Sequence, residues 1–189
     1  MSNIIPLSAG YIKETGKVFD GERLGKEVGE LFSVYQRDQI NLRKHSGMDD
    51  MLGITYGSGS LYSKVKGSSF DNDKNWTQYI SIFKELYITD VLRELEDYIW
   101  FHHKSLMGRA RLMRMKPKTC LSYHRDDSSM RLHVPIITND DCFFINNETV
   151  GRMEKVGMLY LYDVRSKHTA VNASREDRIH LVVNCFESN

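Results

Sequence analysis

The chain has 189 residues, of which 41% are apolar and 27% are charged, and its formal net charge at pH 7 is +1. These values are typical of one soluble globular domain, and they give no bulk electrostatic attraction to nucleic acid or to an anionic membrane. The three cysteines, Cys120, Cys142 and Cys185, form no CxxC pair, which argues against a disulfide framework and favours a reducing compartment.

The chain has no apolar run near the ~20 residues that are needed to span a bilayer. Its first residues also lack the basic start and long apolar stretch of a signal peptide. We therefore expect a cytoplasmic protein with neither a membrane nor a nucleic acid as its partner. The sequence contains no indication of the oligomeric state.

The first part of the chain has the periodicity of helices. Asp20 can cap a first helix, whose apolar residues recur at three- and four-residue steps at Leu24, Val28, Leu31, Phe32 and Tyr35. A second helix is expected over residues 88–103, with Thr89 or Asp90 as its cap. Its apolar positions are Val91, Leu92, Leu95, Tyr98 and Ile99. Between the two helices, the Gly- and Ser-rich residues 51–75 predict turns and loops with one or two short strands.

From about residue 108 the period of the apolar residues changes to two. The stretch "RARLMRMKP" alternates basic and apolar side chains, and four short aromatic or β-branched runs follow: "RLHVPIIT", "CFFINNE", "GMLYLYDV" and "RIHLVVNCF". Short strands at this spacing indicate a sandwich or barrel. We therefore expect a mainly β protein with N-terminal helices. Residues 1–104 are predicted as an α+β elaboration that packs on a β core of residues 105–189, within one compact domain.

The stretch "YHRDD" contains the residues that could bind a metal. His124 and Asp126 are two apart, so on a strand they point to the same face. The best third ligand is His168, which follows the apolar strand "GMLYLYDV". Two histidines and one carboxylate occupy one face of an octahedron and leave three positions open, as in non-haem Fe(II) oxygenases. A solvated surface pair is the alternative for His124 and Asp126.

Arginines near these residues indicate an anionic ligand. Arg178 shares a strand face with His180 and Val182, and an arginine that points into an apolar barrel is costly unless it meets an anion. Arg131 and His133 also share a strand face. An iron with such anchors fits 2-oxoglutarate, a small diacid that also chelates metal. Ion pairing of Arg178 with Asp177 or Glu176, at the rim of the barrel, is the alternative.

The segments "HRDD", "RLHVPI" and "GMLYLYDVRSKHTAVNASREDRIHLVV" resemble the aspartyl/asparaginyl β-hydroxylase-type Fe(II)/2-oxoglutarate dioxygenases, a group that includes bacterial hydroxylases of free proline. The resemblance covers about residues 109–186. It rests on the order His-x-Asp, Arg-x-His, a glycine before an aromatic strand, a distal histidine, and then Asn and Arg. It implies a double-stranded β-helix core of the cupin or jelly-roll type.

The resemblance also implies roles for particular residues. His124, Asp126 and His168 match the iron ligands, and Arg178 matches the arginine that holds the distal carboxylate of 2-oxoglutarate. Arg131 and His133 match the pair near the metal-binding end of that cosubstrate. The implied reaction uses Fe(II), 2-oxoglutarate and O2 and releases succinate and CO2. It hydroxylates an unactivated C–H of an amino acid, or of an Asp, Asn or Pro residue in a peptide or protein.

Other readings of the same residues stay open. A zinc or other divalent-metal hydrolase or isomerase would use the same three ligands to activate water, and a cupin could also bind a metabolite without catalysis. Arg131 could be a structural partner of Asp126 or Asp127. For His133 a satisfied core position is an alternative, and for His180 we favour it. Tyr123, on the opposite strand face from His124, is expected in the core. Substrate specificity is expected from residues 44–60, which include Tyr56, and from Arg125.

Overall fold

A computed structural model of the protein describes residues 12–57, 72–126, 128–147 and 149–188. Within these ranges the helices are α1 (Gly21–Tyr35), α2 (Asp50–Thr55) and α3 (Tyr87–His103), with 3-10 turns at Asp73–Asn75 and Ser81–Phe83. The strands are β1 (Ile12–Val18), β2 (Gln39–Asn41), β3 (Arg43–Lys44), β4 (Gln78–Tyr79), β5 (Ser105–Met115), β6 (Thr119–Cys120), β7 (Met130–Ile137), β8 (Cys142–Asn146), β9 (Thr149–Gly151), β10 (Met158–Tyr162), β11 (His168–Asn172) and β12 (Arg178–Glu187).

Two antiparallel sheets form the core of the fold. The larger sheet has six strands in the order β1-β10-β7-β12-β5-β2, and the smaller has four in the order β6-β11-β8-β9. From β5 to β12 the chain alternates between the two sheets, except that the successive strands β8 and β9 pair within the smaller sheet, and this is the connectivity of a double-stranded β-helix. The predicted fold class is therefore confirmed.

The N-terminal part contributes strands to both edges of the larger sheet. β1 pairs with β10 and β2 pairs with β5, both antiparallel. The short strands β3 and β4, which are far apart in the chain, pair as a separate two-stranded sheet. The division of the chain between residues 104 and 105 stays a prediction, although two strands from before that point extend the main sheet.

Helix α1 begins where the sequence predicts. The carboxylate of Asp20 accepts a hydrogen bond from the backbone N–H of Arg23, at 3.0 Å, and so satisfies one of the free donors at the helix start. The buried positions of the helix are Leu24, Val28, Leu31 and Phe32. The three- and four-residue spacing of these apolar residues therefore corresponds to one face that packs on the sheet.

The start of α3 differs from the prediction. The helix begins at Tyr87, and its N-cap residue Leu86 makes no side-chain hydrogen bond. Instead, the carboxylate of Glu27 on α1 accepts from the backbone N–H groups of Tyr87, at 2.9 Å, and Ile88, at 3.0 Å. Thr89 is buried, and its hydroxyl donates to the carbonyl of Phe83. The cap comes from another helix, so the local sequence could not reveal it.

Helix α2 occupies part of the segment that was predicted as loop. Its N-cap Asp49 accepts from the N–H of Leu52 at 2.8 Å. The buried amide of Asn41 on β2 donates to the carbonyls of Gly53 and Tyr56, both at 2.8 Å. These tertiary bonds stabilise a six-residue helix whose own residues have weak helix propensity. Residues 58–71 of the predicted loop lie outside the described residues, and its last residues form the 3-10 turn Asp73–Asn75.

The apolar residues form two clusters on opposite faces of the larger sheet. On β12, Ile179, Leu181 and Val183 belong to the cluster that also contains the buried residues of the helices. The second cluster lies between the two sheets and contains Phe144 and Tyr162. The helices therefore cover one face of the larger sheet, and the other face encloses the space between the sheets.

A glycine begins the turn into β10. Gly157 has φ of +77°, and a Cβ atom at this position would clash with the carbonyl oxygen of Phe19. Its N–H donates to the carbonyl of Pro135, and its carbonyl accepts from the N–H of Phe19. The left-handed backbone and the close approach explain why a glycine precedes this aromatic strand. Within the described ranges, no helix is long and apolar enough to cross a membrane.

Candidate metal centre

An isolated pair of backbone hydrogen bonds brings the two distant histidines together. The N–H of His124 donates to the carbonyl of His168 at 3.0 Å, and the N–H of His168 donates to the carbonyl of His124 at 2.7 Å. The centroids of their rings are 4.6 Å apart. The sequence predicts His168 after the end of the strand that is now β10, and the structure has it as the first residue of the next strand, β11. The segment after β6 therefore continues the smaller sheet beside β11, and this pairing positions both imidazoles.

Backbone carbonyls orient the two imidazole rings. The Nδ1 atom of His124 lies 2.6 Å from the carbonyl oxygen of Ser122, and that of His168 lies 2.9 Å from the carbonyl oxygen of Ser166. A carbonyl oxygen can only accept, so each Nδ1 carries the hydrogen and each Nε2 keeps its lone pair. Both Nε2 atoms face Asp126, at 3.5 Å from Oδ1 for His124 and 3.3 Å from Oδ2 for His168.

The three side chains fit a metal ion. Their ligand atoms all lie within 4.8 Å of one another. Neighbouring donors at metal–ligand distances of ~2.1 Å are ~3 Å apart when the angle between them is close to a right angle, and the distances from Asp126 to the two histidines are near this value. The Oδ2 atom of Asp126 is buried and has no hydrogen-bond partner in the structure. Two imidazole nitrogens and one carboxylate on one side of an open position suit Fe(II).

Asp126 is held as a carboxylate by its neighbours. Burial alone would raise its pKa, but the guanidinium of Arg131 and the adjacent imidazoles of His124 and His168 outweigh burial and lower the pKa well below its usual range. The carboxylate in turn raises the pKa of His124, because it stabilises the protonated imidazole. Asp126 is therefore ionised and ready to bind a cation at neutral pH.

Arg131 makes the ion pair that was considered as an alternative to its cosubstrate role. Its Nη2 lies 2.8 Å from Oδ1 of Asp126, and its Nε donates to Oδ1 of Asn184 at 2.9 Å. Asp127, the other partner considered for Arg131, lies outside the described residues. A role for Arg131 toward the cosubstrate stays a prediction.

A small cavity of about 20 Å³ lies between the two sheets. Its walls include His168 of the metal centre, Arg131 and Arg178, together with Met113, Met115, Leu121, Phe144 and Val182. We call it the inner cavity. The alternation along β12 thus places Arg178 and Val182 in this cavity, on the face that the sequence predicts. Apart from these polar side chains, the walls of the cavity are largely apolar.

Arg178 is 4% exposed and, among the described residues, has no carboxylate partner. Its Nη1 donates to Sδ of Met115 at 3.0 Å, its guanidinium lies 4.6 Å from the ring centroid of Phe144, and its Nε has no hydrogen-bond partner. Burial lowers its pKa to about 10, so it remains charged at pH 7. An ion pair with Asp177 or Glu176 is not formed. A buried guanidinium without a counter-charge is the arrangement expected where a ligand supplies the anion.

His180 differs from the expectation of a satisfied core histidine. Its Nδ1 lies 3.0 Å from Nη2 of Arg178 and 3.4 Å from Nδ1 of His133, while the Nε2 atoms of both histidines have no partner in the structure. Burial and the charge of Arg178 lower the pKa values of both imidazoles well below their usual range. His180 therefore contacts two residues that line the inner cavity, Arg178 and His133. Its place two residues after Arg178 was the signal for this in the sequence.

Tyr123 is a further correction, because it is 49% exposed and not in the core. Its hydroxyl accepts from the N–H of Asn147 at 3.0 Å. The segment before His124 is not a regular strand, so alternation does not apply to it. Arg125 is exposed, and Tyr56 binds the buried Arg109 through its carbonyl oxygen. Roles of Tyr56 and Arg125 in specificity stay predictions.

Comparisons with known proteins agree with this geometry. The family model of aspartyl/asparaginyl β-hydroxylase matches residues 68–188. No curated protein sequence matches the chain. A truncated form of the viral collagen prolyl hydroxylase from Paramecium Bursaria Chlorella virus-1 superposes with a TM-score of 0.58 at 8% identity, over 98% of this chain and 96% of that chain.

The 2OG complex of the same viral enzyme superposes with a TM-score of 0.56 at 10% identity, over 95% of this chain and 97% of that chain. An oxidoreductase of the 2OG-Fe(II) oxygenase family from Burkholderia pseudomallei gives a TM-score of 0.44 at 13% identity, over 53% of this chain and 56% of that chain. At these identities the structural likeness to the viral enzyme shows the fold. The family model spans most of the chain, including both histidines and the aspartate of the metal centre, and the protein belongs to the aspartyl/asparaginyl β-hydroxylase family of oxygenases.

Proposed function

We propose that this protein is an Fe(II)- and 2-oxoglutarate-dependent dioxygenase. It hydroxylates an unactivated C–H of an amino acid, or of an Asp, Asn or Pro residue in a peptide or protein, and releases succinate and CO2. The observation that carries this proposal is a His-Asp-His donor set whose member His168 lines the same inner cavity as Arg178, an arginine without a carboxylate partner among the described residues.

In this proposal His124 and His168 bind the iron through Nε2, and Asp126 binds it through a carboxylate oxygen. The iron, when bound, supplies the activation of O2. The protein's own contribution is to fix the donor atoms, since the carbonyls of Ser122 and Ser166 prevent the rings from turning. The carboxylate also lowers the net charge of the site. Three donors on one side leave the other side free for the cosubstrate and O2.

Arg178 is assigned to the distal carboxylate of 2-oxoglutarate. Its planar fork can form two parallel hydrogen bonds to one carboxylate, and its position on the far side of the inner cavity sets the direction of the bound diacid. His133 and Arg131 are assigned to the end of 2-oxoglutarate that faces the metal. The apolar side chains between the two ends keep water out and orient the ligand.

A hydrolase that activates water on the same three ligands is supported less well. Such an enzyme needs a bound metal and an open position, but it does not need a buried cation on the far side of the cavity. Arg178 costs stability where it lies, because its charge is removed from water without an opposite charge. A dicarboxylate cosubstrate accounts for that cost.

The test is succinate formation. The protein, loaded with Fe(II) in oxygen-free buffer, is mixed with 2-oxoglutarate, ascorbate and O2, and succinate is measured with and without a panel of amino acids and peptides. We expect succinate above the level of an Asp126→Ala variant, and a mass gain of one oxygen atom in a substrate of the panel. Succinate at the level of the variant, together with stoichiometric zinc in the purified protein, would favour the hydrolase.

A further inference from the structure

A series of hydrogen bonds runs from the metal centre across the face of the larger sheet that encloses the space between the sheets. Nη2 of Arg131 lies 2.8 Å from Oδ1 of Asp126, and Nε of Arg131 donates to Oδ1 of Asn184 at 2.9 Å. Nδ2 of Asn184 donates in turn to Oδ2 of Asp73. We call these four residues the polar network. Because Arg131 on β7 and Asn184 on β12 are direct strand partners, the network joins a metal ligand to the 3-10 turn that begins at Asp73.

The orientation of the Asn184 amide is fixed by its two partners. A guanidinium can only donate and a carboxylate can only accept, so the amide oxygen faces Arg131 and the amide nitrogen faces Asp73. Asn184 is buried, so these bonds form away from water. Neither an apolar nor an acidic side chain at this position could serve both neighbours. Asn184 therefore couples the position of Arg131 to that of Asp73.

Two further arginines hold Asp73. Its Oδ1 accepts from Nη1 of Arg109 at 3.3 Å, and its Oδ2 lies 3.9 Å from Nη2 of Arg111. Arg109 is fully buried, and its Nε donates to Oδ1 of Asn41 at 2.8 Å. The guanidinium of Arg109 also lies 3.9 Å from the ring centroid of Trp76. The end of the polar network at Asp73 is therefore anchored in the fold.

Positive charge is crowded on this face of the larger sheet. Burial and the charges of Arg109 and Arg131 lower the pKa of Arg111 to about 9, whereas the charges of Asp73 and Asp126 act in the opposite direction. Without the carboxylate at residue 73, these cations would be drawn toward Asp126. A carboxylate that accepts from several guanidinium groups has fewer lone pairs left for a metal. Asp73 thus keeps Asp126 from becoming the common counter-charge.

The carboxylate of Asp126 has two unlike oxygens at the other end of the polar network. Its Oδ1 is paired with Arg131, whereas its Oδ2 has no hydrogen-bond partner in the structure. Oδ2 lies 3.3 Å from Nε2 of His168, the second ligand atom on that side. A shift of Arg131 would turn the carboxylate and change which oxygen a metal ion meets. The geometry of the donor set therefore depends on how firmly Arg131 is held.

We propose that Asp73 is a positioning residue of the metal centre, which acts through Asn184 and Arg131 to hold the carboxylate of Asp126 with one oxygen free for the metal ion. Asp73 does this without being a metal ligand itself. The inference rests on the metal centre of the proposed function but not on the reaction that takes place there. It gives the N-terminal part of the chain, which supplies Asp73, a role at a site of the β core.

The first test measures metal affinity and needs no activity. Co(II), whose visible absorption reports its coordination, is titrated into metal-free protein in oxygen-free buffer. The variant Asp73→Asn keeps the shape of the side chain but removes its charge and one acceptor oxygen. We expect it to raise the dissociation constant for Co(II) by about 10-fold, as is usual when a residue that orients a metal ligand is lost. Equal dissociation constants in Asp73→Asn and wild type would overturn the inference.

The matched control is Asp38→Asn. The carboxylate of Asp38 also accepts from an arginine of β5, Arg114, at 3.1 and 3.2 Å. Arg114 lies over the ring of Phe32, on the opposite face of the strand from Arg109 and Arg111. Both substitutions remove a carboxylate that is paired with an arginine, so both should lower the melting temperature of the metal-free protein. Only the variant at residue 73 should bind Co(II) more weakly, and an equal weakening in the control would contradict a positioning role.

The second test is a double-mutant cycle with Asn184→Ala, measured by the same titration. Because Asp73 is proposed to act through Asn184, Asp73→Asn should change the Co(II) affinity by less than about 2-fold when Asn184 is already replaced. Additive effects of the two substitutions would mean that Asp73 acts by another route, and the inference would fail. If Asn184→Ala does not fold, the comparison of Asp73→Asn with Asp38→Asn decides the question alone.

Failure of the proposed function would be visible separately. It would appear as the absence of succinate from a wild-type protein that still binds Co(II), and in that case the titrations still test the role of Asp73. A wild-type protein that binds Co(II) no more tightly than Asp126→Ala would have no metal centre, and both proposals would then fall.

Discussion

At the scale of single residues, the inner cavity depends on a buried cation whose geometry matters as much as its charge. The guanidinium of Arg178 already bonds to Met115 and His180, and its Nε remains available. A lysine in its place would keep the positive charge but would present a single nitrogen instead of a planar fork. The substitution Arg178→Lys therefore tests the effect of the guanidinium geometry while the positive charge stays the same.

We predict that Arg178→Lys raises the concentration of 2-oxoglutarate needed for half-maximal succinate formation by about 10- to 100-fold, because one charge-assisted hydrogen bond is lost. The measurement is initial rate against 2-oxoglutarate concentration. Arg93→Lys, on the exposed face of α3, is the control and should leave this concentration unchanged. An unchanged requirement in Arg178→Lys would contradict the assignment of Arg178.

His180 gives the cavity a second residue-scale property, a fixed tautomer. Arginine can only donate, so Nδ1 of His180 accepts from Arg178 and its proton lies on Nε2. Nδ1 of His133 lies 3.4 Å from this accepting Nδ1 of His180, so in this contact His133 is the donor. His180 thus limits the rotation of Arg178 without contacting the metal centre. An asparagine in place of His180 could supply a similar hydrogen-bond acceptor.

The depressed pKa of His180 has a consequence for stability. The folded state keeps this imidazole neutral, whereas the unfolded chain takes up a proton near pH 6.5. The unfolded state therefore binds more protons as the pH falls, and the free energy of unfolding decreases below this pH. The contribution of the neutral His180 imidazole to the free energy of unfolding is fully present above pH 6.5 and is lost at lower pH.

We predict that His180→Asn reduces the loss of stability between about pH 7.5 and about pH 5.5 by about 1.4 kcal/mol relative to wild type, since one titrating group is removed. Urea unfolding at several pH values measures this difference. Equal pH slopes in the two proteins would mean that His180 is already protonated in the folded state. His180→Leu, which also removes the acceptor for Arg178, should in addition weaken 2-oxoglutarate binding more than His180→Asn does.

At the scale of elements, the contact between α1 and α3 holds the helical layer together. Glu27 satisfies two free N–H groups at the start of α3 with one carboxylate. Negative charge at a helix N-terminus is also favourable toward the helix dipole. This cap joins two elements that are far apart in the sequence, so it contributes to tertiary structure as well as to the helix.

We predict that Glu27→Ala lowers the free energy of unfolding by about 1 kcal/mol, the usual cost of losing an N-cap. Glu30→Ala, at an exposed position on the same helix, is the matched control and should change stability by less than about 0.5 kcal/mol. Chemical denaturation measures both variants. Equal stability of Glu27→Ala and wild type would show that water replaces the carboxylate at no cost.

At the scale of the whole molecule, the main apolar cluster and the metal centre lie on opposite faces of the larger sheet. The cluster between the helices and this sheet includes Leu24, Leu92, Leu132 and Leu181. The metal centre and its cavity lie between the sheets, beside the smaller cluster. The larger apolar cluster, which contributes most to stability, therefore lies on the face of the sheet away from the metal centre.

We predict that removal of metal with a chelator abolishes succinate formation but leaves a folded protein. The far-UV circular dichroism spectrum should not change, and thermal unfolding should remain cooperative. Metal should raise the melting temperature in a concentration-dependent way, because it binds the folded state. Loss of helix and strand signal on chelation would show instead that the metal is required for folding, as in small zinc domains.

Parts of this protein could be predicted from local sequence alone. Helix α1 begins at its predicted cap, and the two-residue period after residue 108 corresponds to β5 and to the later strands. On β12 the alternation separates Ile179, Leu181 and Val183 from Arg178 and Val182. These features follow from the periods of helix and strand, which depend only on neighbouring residues. The position of His124 and Asp126 does not belong to this class, because these residues lie outside the regular strands.

Other features depend on contacts between distant parts of the chain, and only the tertiary structure decided them. The bridge between His124 and His168, the cap of α3 by Glu27 and the ion pair of Arg131 with Asp126 each join residues from different elements. Whether a buried polar group is satisfied also depends on its surroundings: the amide of Asn172 donates to the carbonyls of Met115 and Glu176, which belong to other parts of the chain. The side-chain types were therefore set by the sequence, but their partners, and with them the electrostatics of the site, came from folding.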